Sequence, residues 1–396
     1  EQPVCCMALY GEIAELYKSG HIDVPNEIIK IWADNGYGKM VSRRQGNENM
    51  RIPSLPSEQD SGEHGIYYHI TFHDLQASNH LTMFPSPPGL IKEEVETAFT
   101  KGADSYLLLN SGNIRPHLYT LDLICEFWNT GYVQVKDHIE SFIERLYSSN
   151  TKDITNLYTS YFETTIQYGT HSDDRAGEEF YHHNARRIIG HWLQGKSNES
   201  EPKLFWATGE IPFLEQVQWF KEKCKSALNG WEELFEKCAN LLLKLNKDDQ
   251  IRFYDQFILQ VELHLSGCKG FIKLCNAYEA YVQERKPLAF VYLSQAMDAY
   301  KIGSKAFQRA EHGKWKNFYR ADWLTNIECT VNSLDTARRF VRMHGDSPHF
   351  FLWYKEYIMP ETEKHIYLEN THRKPLSDDE LAGLLAEKFL DKVDEK

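Results

Sequence analysis

Three kinds of side chain stand where apolar runs give way to turns. They are a carboxylate, Glu12 in YGEI; two carboxamides, Asn35 in WADN and Asn110 in LLNSGN; and two phenols, Tyr67 and Tyr68 in GIYYHI. These types suit chemistry at a glycosidic bond. A carboxyl group protonates the leaving oxygen or activates water, amides hold hydroxyls, and rings stack on sugar C–H faces. Each has a plainer reading beside it. Glu12 can be a first-turn glutamate favoured by the helix dipole, Asp34–Asn35 an Asx-type turn into Gly36, and the tyrosines core.

Other chemistries fit less well. His64, His69, His73, His80 and His117 crowd one stretch and invite a zinc reading. His69 and His73 lie four apart in a strand-like segment, however, and four strand residues span about 13 Å, too far for one metal. No metal is expected. The chain has no G-x-S-x-G nucleophile, no P-loop and no dinucleotide fingerprint; GYGK lacks the rest of either glycine motif. No cofactor is expected either.

The positioning elements follow from periodicity. Residues 9–19, LYGEIAELYKS, place Leu9, Ile13, Leu16 and Tyr17 on one helical face. Ile28–Gly38, IIKIWADNGYG, opens with almost no polar face, as in a parallel strand covered on both sides, and breaks on two glycines. Further strands are expected at 65–72 and 104–109, with a helix at 90–101 between them. Residues 42–65 form a long polar loop containing Arg43 and Arg44. Strand, connection, helix and strand over 28–113 are the grammar of an α/β barrel or doubly wound sheet. From 118 onward helical periodicity dominates, with segments at 118–128, 138–147, 176–194, 213–228, 231–246, 249–266, 270–285, 288–311, 322–343 and 378–393. Gly230, Gly267, Gly313 and Pro287 are expected to punctuate them. The expected division is 1–135 and 136–396.

With 396 residues, 42% hydrophobic, the chain has ample material for two domains. A net charge of −13 without a basic block speaks against nucleic acid, and no apolar run is long enough to span a membrane. The eight cysteines show no CxxC pair. Most read as buried free thiols, which favours a reducing, cytoplasmic setting over a secreted or periplasmic one.

YGEIAELY, WADNGYG, GIYYHITF, LLNSGNIRPH, AGEEFYHHNARRI (176–188) and AEHGKWKNFYRADWLT (310–325) resemble, in order and approximate spacing, blocks of glycoside hydrolase family 115, the xylan α-glucuronidases. The likeness runs over about residues 4–345. It implies a (β/α)8 barrel followed by a helical bundle. It also implies inverting hydrolysis of the α-1,2 bond joining (4-O-methyl)-glucuronic acid to xylose, in xylan or its oligosaccharides. Carried over, Glu12 is an acid/base or orients water, and Asn35 and Asn110 hydrogen-bond the sugar or that water. Tyr67 or Tyr68 and Asp34 line the site, and Arg115 pairs with the substrate carboxylate or serves as a structural arginine.

Departures accompany the resemblance. Family members are roughly twice this length, and the earlier barrel strands are absent here. Asn113 stands where relatives often carry an acid, and 45–62 reads as an insertion. Three parallel strands cannot close a ring of eight. The remainder is expected from a missing N-terminal portion, from a partner such as a second copy, or the sheet stays open under the helices.

Overall fold

A computed structural model describes residues 3–42, 51–72, 76–319, 325–364 and 374–390. His73, Arg43, Arg44 and the expected helix ends at 322–324 and 391–393 lie outside the described residues. The chain is a helix-rich α/β protein built on a small parallel sheet. Its strands are β1 (Cys6–Leu9), β2 (Ile29–Ala33), β3 (His64–His69) and β4 (Tyr106–Asn110), in the order β1-β2-β3-β4. Every neighbouring pair is parallel, and the register sets Tyr67 opposite both Ala33 and Leu108, and His69 opposite Asn110.

Parallel strands need crossovers, and here the helices gather on one side. Leu9, Trp32, Ile66, Tyr68 and Ile70 point to that side. They pack on Ala14 of α1 (Glu12–Lys18), on Ile91, Val95 and Ala98 of α2 (Pro88–Thr100), and on Leu123, Ile124 and Phe127 of α3 (Leu118–Thr130). The alternating residues line the opposite face. In β2 they are buried, as its apolar run predicts. At the two edge strands they are not: Cys6 and Ala8 of β1 are exposed, and Tyr106 and Leu108 of β4 are 38% and 40% exposed. The sheet is therefore covered on one face and open at both edges of the other.

A second core begins with α4 (Val135–Leu146) and α5 (Thr151–Thr164) and continues through α6 (Glu179–Leu193), α7 (Phe205–Thr208) and α8 (Phe213–Leu242). Then come α9 (Lys247–Phe253), a π-helical turn at Tyr254–Ile258, α10 (Leu259–Val282), α11 (Lys286–Ala310), α12 (Ile327–Gly345) and α13 (Asp378–Phe389). Helix α10 packs on α8 and α11, and α11 on α12.

Three expectations are corrected. The apolar segment before Tyr10 is a strand, β1, and the helix starts only at Glu12. Gly230 and Gly267 interrupt nothing, because α8 and α10 run straight through them. A Cβ on Gly267 would meet the Tyr181 ring at 2.6 Å, so the glycine serves close helix–ring packing and not a turn. Among the cysteines, Cys224, Cys238, Cys268 and Cys275 are buried, whereas Cys5, Cys6 and Cys125 are exposed.

Candidate active site

The carboxyl ends of the four strands bring Tyr10, Asp34, His69 and Asn110 to one edge of the sheet. In parallel α/β architectures this is the edge where loops build sites. Asp34 and Asn35 follow β2 directly and shape the turn after it. Asp34 Oδ2 accepts the backbone N–H groups of Gly36 and Gly38, each at 3.0 Å. Asn35 Oδ1 accepts those of Tyr37 at 3.0 Å and Lys39 at 3.2 Å. Two adjacent side chains thus satisfy four successive donors in alternation. Both glycines sit at positive φ, 85° and 86°, where other residues are strained.

The other oxygen of Asp34 faces β3. Oδ1 accepts the His69 backbone N–H at 3.0 Å and meets His69 Nδ1 in a close contact, with both side chains almost wholly buried. A carboxylate only accepts, so Nδ1 carries a proton, and in the neutral ring Nε2 is the acceptor. The ring of His69 lies 4.3 Å from that of Tyr67 and 4.6 Å from that of Phe72. Tyr10 and Phe72 stack with planes 4° apart at 6.2 Å. Asn110 Nδ2 donates to Tyr67 Oη at 2.6 Å. The result is an imidazole oriented by a buried acid, flanked by rings and an amide–phenol pair. Such a group can accept a proton or hydrogen-bond a hydroxyl.

The expected site residues divide between this assembly and other duties. Tyr67 and Asn110 belong to it, both half-buried. Glu12 is exposed in the first turn of α1, just past the end of β1. Tyr68 does not belong. Alternation turns it to the helix-covered face, where it is fully buried and donates to Gly38 O at 2.9 Å. Burial, with the charges of Asp34, Glu94 and Asp173 nearby, drives its hydroxyl well above the ordinary tyrosine value.

Asp34 and Asn35 line the turn from inside and are spent on protein groups. Beyond the turn, Asn35 Nδ2 donates to Asp173 at 2.9 Å. Both are thus held by protein partners within and beside the turn. Arg115 has the contacts of the structural alternative. It is buried, paired with Asp255 at 2.9 Å and donating to Ala310 O at 2.9 Å. Its guanidinium lies 4.7 Å from the centre of the Trp315 ring and 5.4 Å from that of Tyr319. Burial and a fixed acidic partner make it a clamp on the 310–319 segment.

His69 is the functional candidate that the sequence reading passed over. Its signal was present: in GIYYHI it shares a strand face with Tyr67 and stands at the carboxyl end of the strand. His64 and His117 of the histidine cluster serve elsewhere. His64 Nδ1 accepts from Trp32 at 3.2 Å, and burial lowers the His117 pKa to about 3. Asp122, Glu126 and His138 form a ligand-like trio on α3 and α4, but Asp122 is already engaged by both His138, at 2.8 Å, and Arg145.

Residues 1–169 match the sequence model of glycosyl hydrolase family 115. Over those residues the chain is similar to that family. The segment holds β1–β4 and every group of the assembly just described. No curated protein sequence matches the chain. A solved structure described as a family GH115 4-O-methyl-α-glucuronidase with specificity for decorated arabinogalactans is similar to it. The TM-score is 0.50 at 18% identity, with 81% of this chain and 38% of that one covered. At that identity the likeness speaks for the fold. It necessarily extends beyond residue 169 into the helical part, and this chain covers well under half the length of the solved structure.

Proposed function

We propose that this protein contributes to a glycoside hydrolase that removes α-1,2-linked (4-O-methyl)-glucuronic acid from xylan or its oligosaccharides, with inversion. The observation that carries the reading is the oriented His69 beside Tyr67 and Asn110, at the carboxyl edge of a parallel sheet inside the family-matched segment. In this reading Tyr67 and Asn110 hold sugar hydroxyls, and Tyr10 and Phe72 offer ring faces. Glu12 is an acid/base or orients water, and His69 accepts a proton or a hydroxyl hydrogen bond through Nε2.

The one-sided winding of β1–β4 supports reading them as four of the eight strands of a (β/α)8 barrel within residues 1–135, with residues 136–396 as a helical bundle. Inversion requires two carboxyl groups about 6.5–9.5 Å apart. Asp34 is committed to its four donors, so beside Glu12 the second acid comes from strands outside this sheet. A second reading, a non-catalytic carbohydrate- or protein-binding remnant, is favoured by one observation: the open sheet face at Cys6, Ala8, Tyr106 and Leu108.

Release of glucuronic acid from glucuronoxylan, with a decorated arabinogalactan in parallel, tests the proposal. Strongly reduced release in His69→Ala and in Glu12→Gln is the expected result. Release by Glu12→Gln equal to the parent removes that residue from the chemistry. No release by the parent, with or without added polypeptide carrying the remaining strands, supports the second reading.

A further inference from the structure

Asp173 lies in the segment between α5 and α6, 138 residues from Asn35 in the chain, and is 2% exposed. Its Oδ2 accepts Asn35 Nδ2 at 2.9 Å, and its Oδ1 accepts Arg51 Nη2 at 2.6 Å. The Arg51 guanidinium balances the buried charge.

The consequence concerns the orientation of an amide. The two ends of a carboxamide are nearly the same shape, but one donates and the other accepts. The turn after β2 needs the accepting end, because Tyr37 and Lys39 both direct N–H groups at Asn35. A carboxylate at 173 can receive only the donating end. Asp173 therefore fixes the amide so that Oδ1 faces the turn. The same turn supplies the Gly36 and Gly38 donors that hold Asp34, and Asp34 holds His69.

We infer that Asp173 is a positioning residue for the Asp34–His69 pair, acting through Asn35 and the 36–39 turn. The inference rests on the proposed role of His69. It deepens that role by tying site geometry to the segment that leads into the helical part. The far end of the turn has an independent anchor, since Glu94 of α2 accepts from Lys39 Nζ and from the Met40 N–H at 2.8 Å. Loss of Asp173 should thus free the Asn35 amide without unmaking the turn.

An exchange of partners tests this. Asn35→Asp alone keeps both turn acceptors but sets two carboxylates face to face. The double variant Asn35→Asp/Asp173→Asn restores a donor opposite an acceptor. Two readouts apply to the full chain: the His69 Nδ1–H resonance in ¹⁵N-histidine-labelled protein, and kcat and KM on glucuronoxylan. Asn35→Asp and Asp173→Ala should each displace the resonance. Each should lower kcat by about tenfold to a hundredfold, as expected for a sub-ångström misplacement, with KM little changed. The double variant should return both readouts toward the parent. A falling Tm with resonance and kcat at parent values overturns the inference, as does a double variant no better than Asn35→Asp. If the parent releases no glucuronic acid, the proposed activity fails, and the resonance arm still decides the positioning.

Discussion

Asp34 directly follows β2 and His69 ends the neighbouring parallel strand β3, and one carboxylate oxygen of Asp34 holds both the backbone N–H and the ring Nδ1 of His69. The backbone contact sets the height of the residue and the ring contact sets its tautomer. The imidazole is thereby oriented before any ligand arrives, and that preorganisation is what a proton-accepting group needs.

His69→Ala should lower kcat/KM for glucuronic acid release by about 10²- to 10⁴-fold, the range for loss of a general acid–base group. Its thermal midpoint should also fall, because the ring is buried and its loss leaves Asp34 without a partner. Asp34→Asn should cost stability as well as activity, because one carboxylate oxygen with two backbone donors is replaced by an NH₂. Release assays below the unfolding transition of each variant separate lost chemistry from lost fold. A fully active His69→Ala would remove the imidazole from the mechanism.

Arg115→Met should destabilise the protein by about 3–5 kcal/mol, the range for removing one partner of a buried ion pair. Denaturant unfolding measures it. The Asp255 carboxylate would keep only His312, at 2.9 Å, and the rings of Trp315 and Tyr319 would lose the cation between them. A substrate-binding arginine would behave in the opposite way, raising KM with stability unchanged.

Acid should unfold the protein through its buried histidines. Burial lowers His117 and His264 to about 3 and His182 well below its ordinary value, while the unfolded residues titrate near 6.5. The unfolded state thus binds more protons between pH 3 and 6.5. The stability linked to these groups is fully present above pH 6.5 and is lost as pH falls toward 3. Each group contributes a slope of about 1.4 kcal/mol per pH unit inside that window. His264→Phe should reduce the slope by one such step, although it leaves the Tyr161 and Tyr181 hydroxyls without their imidazole partner. Denaturant unfolding at several pH values reads the slope directly; an unchanged slope would mean that His264 is not neutral in the folded state.

Two glycine-to-alanine changes should have opposite signs. In an exposed helix the change gains up to about 1 kcal/mol. Gly383 on α13 has open space where its Cβ would go, so Gly383→Ala should raise the thermal midpoint. At Gly267 the new methyl meets the Tyr181 ring, and overpacking costs about 1–3 kcal/mol. Gly267→Ala should therefore lower the midpoint, and an increase would show that Tyr181 can move aside.

Strands β2, β3 and β4 and most of the helices were legible because their apolar periods are local. The family blocks placed Tyr67 and Asn110 at strand ends for the same reason. Strand β1 was missed because four residues directly before a helix carry too little pattern to separate strand from helix. The glycines inside α8 and α10 were misread because sequence shows the missing side chain but not the Tyr181 ring that fills its place.

The sequence by itself determined which residue types reach the carboxyl edge of the sheet, since alternation along a strand needs no knowledge of the partner strand. Only the tertiary structure decided what each of them touches. Asp34 meets His69 across 35 residues, Asn35 meets Asp173 across 138, and Arg115 meets Asp255 beyond the long helix α8. Hydrogen bonds and ion pairs act over about 3 Å, and closeness of that order between distant segments arises from packing, not from any periodicity along the chain.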